Sequence, residues 1–113
     1  MTLPNTVFHV PEGDRQYGWR ALRNVEHFLE DDRSADVAVV FNGGGIEHLR
    51  QDAPARDRIT ELLDRGVELC LCANTIDSKD YDRESFPEGV TVVDSGVAEL
   101  ARRQGEGWAY VRP

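Results

Sequence analysis

The sequence DVAVVF at residues 36–41 contains an uninterrupted run of five apolar residues, a length that no other run in the chain exceeds. A short, almost continuous apolar run is typical of a strand that is buried on both faces of a parallel sheet. It is far too short to cross a bilayer, which requires about 20 apolar residues. The glycine-rich turn at residues 42–45 ends the run, so the segment predicts a central strand followed by a tight turn.

The sequence on either side of this run alternates between strand patterns and helix patterns. Further strands are predicted at Thr6–Val10, Val67–Cys72, Val90–Val93 and Trp108–Val111. Helices are predicted from the cap Asp14 to Asp31-Asp32, over a short stretch at Ile46–Leu49, from Pro54 to the stop signal Gly66, and from the cap Ser95 to Gly105. A polar loop or short helix is predicted at Asn74–Ser85. Strands that alternate with helices at this spacing predict a three-layer α/β/α sandwich with a five-stranded, mainly parallel sheet. The chain of 113 residues is expected to form one domain, residues 1–113.

The composition is that of a globular protein with a strongly acidic surface. Hydrophobic residues make up 40% of the chain, and the formal charge is −8, which repels nucleic acid. Lys79 is the sole lysine beside twelve arginines. An acidic, lysine-poor surface suits a salt-rich cytoplasm, although a GC-rich genome would also favour arginine. The N-terminus MTLPNTVFHV has no signal-peptide pattern, so we expect a cytoplasmic protein without membrane association.

Polar or reactive side chains stand where the predicted strands end, which is where open parallel sheets bind ligands. They are His9, Asn42, Cys72 with Asn74, and Asp94 with Ser95. The turn that contains Gly43 and Gly44 lacks the residues of a P-loop, but its N–H groups could meet a small anion, or the turn could simply connect strand and helix. His9 could act as an acid or base, or be a hydrogen-bonded structural imidazole. The three histidines have no metal-binding spacing, so no metal site is expected.

Cys70 and Cys72 are two residues apart on one strand and therefore point to the same face, about 6–7 Å apart. This separation is too wide for a relaxed disulfide, so both are expected to be reduced thiols. Cys70 is expected to be a small buried hydrophobe. Cys72 lies at the strand end, where a helix N-terminus would lower its pKa and expose its sulfur.

Two segments carry a resemblance to a known family. GVELCLCANT at residues 66–75 resembles the strand, cysteine and alanine-asparagine-threonine stretch of the DsrE/DsrF-like family, and VTVVDSGVAELARRQGEGWAYVRP at the C-terminus is similar to its closing strand, helix and strand. The resemblance implies a small α/β fold that assembles into trimers or hexamers. It also implies that Cys72 occupies the place of the cysteine that carries a persulfide between donor and acceptor proteins in sulfur-relay members.

These observations predict a sulfur carrier in which the Cys72 thiolate accepts sulfur and passes it on. Asn42, Asn74 and nearby N–H groups would hold the charged sulfur, and the chemistry requires no metal or organic cofactor. The alternative is an oligomeric binding or regulatory module that holds a small ligand or anion between residues 42–45 and 94–96. Trp19, Trp108 and Tyr110 are large aromatic side chains for so small a core, which favours a homo-oligomer.

Overall fold

Five parallel strands form one sheet in the computed structural model, which describes residues 2–113. The strands are β1 (Thr6–Val10), β2 (Val37–Phe41), β3 (Glu68–Cys72), β4 (Thr91–Val93) and β5 (Ala109–Val111). Their order across the sheet is β4-β3-β2-β1-β5, and every neighbouring pair is parallel. The apolar run is thus the central strand, and all five of its residues are buried. The predicted α/β sandwich is confirmed.

The helices cover the two faces of the sheet unequally. They are α1 (Arg15–Asp31), α2 (Arg56–Asp64), α3 (Ala73–Ser78) and α4 (Gly96–Gly105), with 3-10 helices at Gly43–Leu49 and Arg83–Ser85. The large core lies between the sheet and α1, α2, α3 and the first 3-10 helix. On the other face α4 alone covers a small cluster made of Val7, Ala38, Val40, Cys70 and Leu100. No helix within residues 2–113 has the length and apolar character needed to cross a membrane.

The helix ends follow the predicted signals. Asp14 and Ser95 accept hydrogen bonds from N–H groups in the first turns of α1 and α4, and Gly66 takes a positive φ of 84° after α2. Gly105 is the last residue of α4, as predicted, and Gly107 takes a positive φ of 95° just beyond the helix.

The glycine turn after β2 is helical earlier than the sequence predicts. The predicted piece at 46–49 is part of a 3-10 helix that already begins at Gly43. A Cβ atom on Gly45 would stand 1.7 Å from the carbonyl oxygen of Val10, so only glycine permits this approach of the turn to β1. The segment expected as a polar loop or short helix after β3 contains α3 and a 3-10 helix.

Candidate functional site

The carboxyl ends of the parallel strands bring the predicted polar residues to one edge of the sheet. The register pairs His9 with Val40 and Val40 with Cys70, so these side chains point to the face that α4 covers. Asn42 follows β2 and Cys72 ends β3. A Cβ atom on Gly96 would stand 3.0 Å from the Cβ of Asn42 and 3.4 Å from the Cβ of Cys72. Gly96, the first residue of α4, therefore sits between these two side chains.

The sulfur of Cys72 lies at the N-terminus of α4 and accepts a hydrogen bond from the Gly96 N–H at 3.3 Å. Burial raises the pKa of the thiol, but hydrogen bonds from the Thr75 hydroxyl and from the N–H groups of Gly96, Thr75 and Asn74 outweigh it, so the pKa is lowered overall. This agrees with the sequence prediction of a low-pKa thiol. The prediction of an exposed sulfur is wrong, because α4 begins directly over Cys72 and leaves it 5% exposed.

Cys70 has a different environment although it lies only two residues away. It is fully buried in the apolar cluster under α4, and burial raises the pKa of its thiol to about 12, with Glu68 adding to the effect. The guanidinium of Arg103 lies 3.8 Å from its sulfur but only partly opposes this shift. Both cysteines are free, as predicted. Cys70 therefore stays a neutral thiol under conditions in which Cys72 ionises.

His9 is hydrogen-bonded through both ring nitrogens. Its Nε2 lies 3.0 Å from Oδ1 of Asn42, and its Nδ1 lies 2.7 Å from the hydroxyl of Tyr110 on β5. Burial lowers the pKa of His9; the bond to Asn42 opposes this shift, whereas the charge of Arg112 adds to it. The imidazole is thus neutral at neutral pH, and it links three neighbouring strands at the site edge.

The glycine turn offers few free donors to an anion. The N–H of Gly43 donates to the Thr75 hydroxyl oxygen at 3.0 Å, and the N–H of Gly45 donates to the carbonyl of Asn42. Gly44 packs against Gly13, since a Cβ on Gly44 would stand 2.8 Å from the Gly13 nitrogen. The turn therefore serves backbone packing and holds Thr75 beside Cys72.

The remaining predicted residues border the site. Ser95 caps α4 through a bond from the N–H of Ala98 at 3.2 Å. The exposed Asp94 accepts the N–H of Asn74 on its carbonyl oxygen at 3.3 Å. Asp94 and Ser95 thus fix the segment that leads into Gly96, and Asn74 contributes its backbone rather than its side chain.

One cleft lies on the opposite face and is separate from this edge. Its volume is about 470 Å³, and it is lined by residues of α1, the first 3-10 helix and the segment before α2. Its arginines Arg15 and Arg50 are balanced by Glu47 and Asp52, so it has no net charge to select a ligand. Residues 2–113 contain no group of three or more histidine, cysteine, aspartate or glutamate side chains that could hold a metal ion.

Comparison with known proteins assigns the chain to a family. The model of the DsrE/DsrF-like family matches residues 6–113, nearly the whole chain. This protein belongs to the DsrE/DsrF-like family. The resemblance that the sequence carried at residues 66–75 and at the C-terminus is thereby confirmed. No curated protein matched the chain.

Solved structures of three relatives share the DsrE/DsrF-like fold. A protein of unknown function, MTH1491 from Methanobacterium thermoautotrophicum, is 38% identical, with a TM-score of 0.94 over 98% of this chain and 100% of that one. The ychN protein from E. coli is 18% identical, with a TM-score of 0.76 and full coverage of both chains. A conserved protein of unknown function, BT1422 from Bacteroides thetaiotaomicron, is 12% identical, with a TM-score of 0.78 over 96% of this chain and 94% of that one.

Thr75 and Tyr110 of this DsrE/DsrF-like site were not among the predicted site residues, and Gly96 was predicted only within the alternative ligand-binding segment 94–96. Thr75 carried a signal, because it follows Cys72 by three residues, the spacing of one helical turn. Gly96 also carried one, because it follows the cap Ser95 and so supplies a free N–H at the start of a helix. Tyr110 was assigned to an interface, since nothing local indicates that β5 lies beside β1.

Proposed function

We propose that this protein is a persulfide carrier of a sulfur relay, with Cys72 as the thiol that accepts and releases sulfur. The observation that carries the proposal is the hydrogen bond from the Gly96 N–H to the Cys72 sulfur, at the start of a helix and beside Thr75. A thiolate is the form that attacks sulfur, and these donors stabilise it. The family resemblance, which includes sulfur-relay members, supports the same assignment.

The reaction is a thiol exchange in which no external oxidant or reductant is required. The Cys72 thiolate attacks the outer sulfur of a donor persulfide, a new S–S bond forms, and the donor leaves as a thiolate. The outer sulfur keeps its proton during the transfer, and the Cys72 persulfide then releases that proton to solvent and becomes anionic. An acceptor thiolate then attacks the same outer sulfur and regenerates the Cys72 thiolate. We place this exchange in the reducing cytoplasm, with protein donors and acceptors.

The decisive experiment is mass spectrometry after exposure to a persulfide donor, with Cys72→Ser and the matched control Cys70→Ser. We use glutathione persulfide as the donor and look for the mass of one added sulfur, mapped to a peptide. The wild type and Cys70→Ser are expected to gain it at residue 72, and Cys72→Ser to gain nothing. Loading at Cys70, or no loading of the wild type, overturns the carrier proposal and favours the ligand-binding module.

We also propose that the carrier is a homo-oligomer, a trimer or a hexamer. The face that α4 covers alone leaves apolar side chains in solvent, including Val97 at 66% and Tyr110 at 41% exposure. Such side chains are enriched at interfaces. Light scattering in molar salt is expected to give a multiple of 12.7 kDa. A monomer would refute this part of the proposal.

A further inference from the structure

A chain of hydrogen bonds connects the last strand of the sheet to the loop beside Cys72. The hydroxyl of Tyr110 lies 2.7 Å from Nδ1 of His9, and Nε2 of His9 lies 3.0 Å from Oδ1 of Asn42. An amide oxygen only accepts, so Nε2 carries the proton and donates it. The Nδ1 atom is then an acceptor, and the Tyr110 hydroxyl donates to it. Each group in the chain thus has one defined orientation.

This chain fixes which end of the Asn42 amide faces the site. His9 occupies the oxygen, so the two N–H groups on Nδ2 point away from His9, and they make no hydrogen bond to another residue within 2–113. Asn42 is half-buried and faces Cys72 across Gly96. A Cβ atom built on Gly96 would lie 3.0 Å from the Cβ of Asn42 and 3.4 Å from the Cβ of Cys72. The two side chains therefore start close to each other. The Nδ2 amide of Asn42 is thus a donor without a protein partner beside the Cys72 thiol.

The donor does not reach the sulfur of the resting thiol, because Cys72 accepts from Gly96 and Thr75 but not from Asn42. A persulfide extends the side chain by an S–S bond of about 2.05 Å. Neighbouring strands lie about 4.8 Å apart, so an extension of this length is a large part of the spacing between Cys72 and the side chain of the next strand. The outer sulfur of a persulfide can therefore approach Asn42 more closely than the resting sulfur does.

We propose that Tyr110 and His9 are positioning residues that hold the Asn42 amide so that its N–H groups bind the outer sulfur of a Cys72 persulfide. The proposal rests on the carrier function and adds to it a donor that acts only on the loaded state. If Tyr110 is removed, Nδ1 of His9 loses its donor and the imidazole can adopt the other tautomer. Asn42 then turns its oxygen toward the site, where it repels an anionic sulfur.

The test separates the loaded state from the resting thiol. The protein is equilibrated with glutathione persulfide and glutathione at a fixed ratio, and the fraction of Cys72 persulfide is read by mass spectrometry. The ionisation of the Cys72 thiol is titrated in parallel. The variants are Asn42→Ala and Tyr110→Phe, and the matched control is Tyr81→Phe, whose hydroxyl bonds to Glu47 on the other face of the sheet.

A hydrogen bond to a charged group stabilises it enough to change the loaded-to-free ratio about tenfold. We expect about that loss for Asn42→Ala and roughly a threefold loss for Tyr110→Phe, with the thiol titration unchanged in both and Tyr81→Phe like wild type. Three results would overturn the positioning proposal. The fraction of Cys72 persulfide could be unchanged in Asn42→Ala, or it could be the same in Tyr110→Phe as in Tyr81→Phe. The third result is a loss of persulfide that is matched by a shift in the titration midpoint of the Cys72 thiol. If wild-type Cys72 takes no sulfur at all, the carrier function fails first and this inference fails with it.

Discussion

Replacement of Thr75 by valine tests the part of the site that ionises Cys72. Valine has nearly the same shape as threonine but no hydroxyl. In the structure the Thr75 oxygen accepts the Gly43 N–H at 3.0 Å, so its own proton is free to donate to the Cys72 sulfur. The substitution removes that donor from the thiolate and leaves the backbone donors of Gly96 and Asn74 in place.

The size of the effect follows from one lost hydrogen bond to a charged acceptor. Such a bond contributes about 1.5 kcal/mol at the lower end of the usual range, and 1.36 kcal/mol corresponds to about one pKa unit. We therefore expect the pKa of Cys72 to rise by about one unit in Thr75→Val, and the thiolate fraction well below the pKa to fall roughly tenfold. Stability changes by less than about 1 kcal/mol, because Gly43 is exposed and its freed N–H can bind water.

The assay is the ultraviolet absorbance of the thiolate against pH, taken as the difference between each protein and the same protein with Cys72→Ser. Cys70 does not interfere, because its pKa of about 12 lies above the titration range. Thr75→Ser is the matched control, since it keeps the hydroxyl and should titrate like wild type. Equal midpoints for Thr75→Val and Thr75→Ser would refute the reasoning.

Three further predictions concern stability. Cys70→Ser is expected to lower the free energy of unfolding by about 1–3 kcal/mol, because its hydroxyl enters an apolar cluster. Cys72→Ser is expected to lower it by less than about 1 kcal/mol. Urea unfolding measures both losses, and equal losses would contradict the different environments of the two cysteines. Hydrogen bonds from the Ser34 hydroxyl and the Leu3 N–H lower the pKa of Asp32 from 3.8 to about 2. The ionised carboxylate therefore stabilises the folded state fully above pH 3.8, and this stabilisation is lost as the pH falls through 2. The difference in unfolding free energy between wild type and Asp32→Ala should shrink over that window, and a constant difference would argue against this source of stability. Salt should raise the thermal midpoint from low to molar concentration, because it screens the repulsion behind the net charge of −8; a flat or falling curve would assign the acidic composition to codon usage.

The fold could be predicted because its determinants are local and repeated along the chain. The apolar run at 37–41 has the strand period and length, and caps such as Asp14 and Ser95 stand where helices begin. The predicted strand boundaries differ from the observed ones by about one residue. The start of the first 3-10 helix at Gly43 was missed, because it depends on contact between the glycines and β1, which lies far away in sequence.

The candidate site was predicted in part, because each strand end could be located but the neighbours of each end could not. Parallel strands place His9, Asn42 and Cys72 at one edge, and this follows from the fold class alone. The contact between His9 and Tyr110 depends on β5 lying next to β1, across 101 residues of sequence. The exposure of Cys72 was misjudged for a similar reason, since the first turn of α4 covers it only once the sheet and helix are packed.

The two cysteines determine how a loaded Cys72 can be emptied. Proteins that discharge oxidised sulfur by themselves keep a second, resolving thiol that attacks the first. Here Cys70 is fully buried, has a pKa of about 12 and lies on the same face two residues away, at a spacing that does not suit a relaxed disulfide. It remains a neutral thiol at neutral pH and is not placed to form a relaxed disulfide with Cys72. If Cys72 carries sulfur as proposed, that sulfur is retained until a thiol from another molecule enters the site.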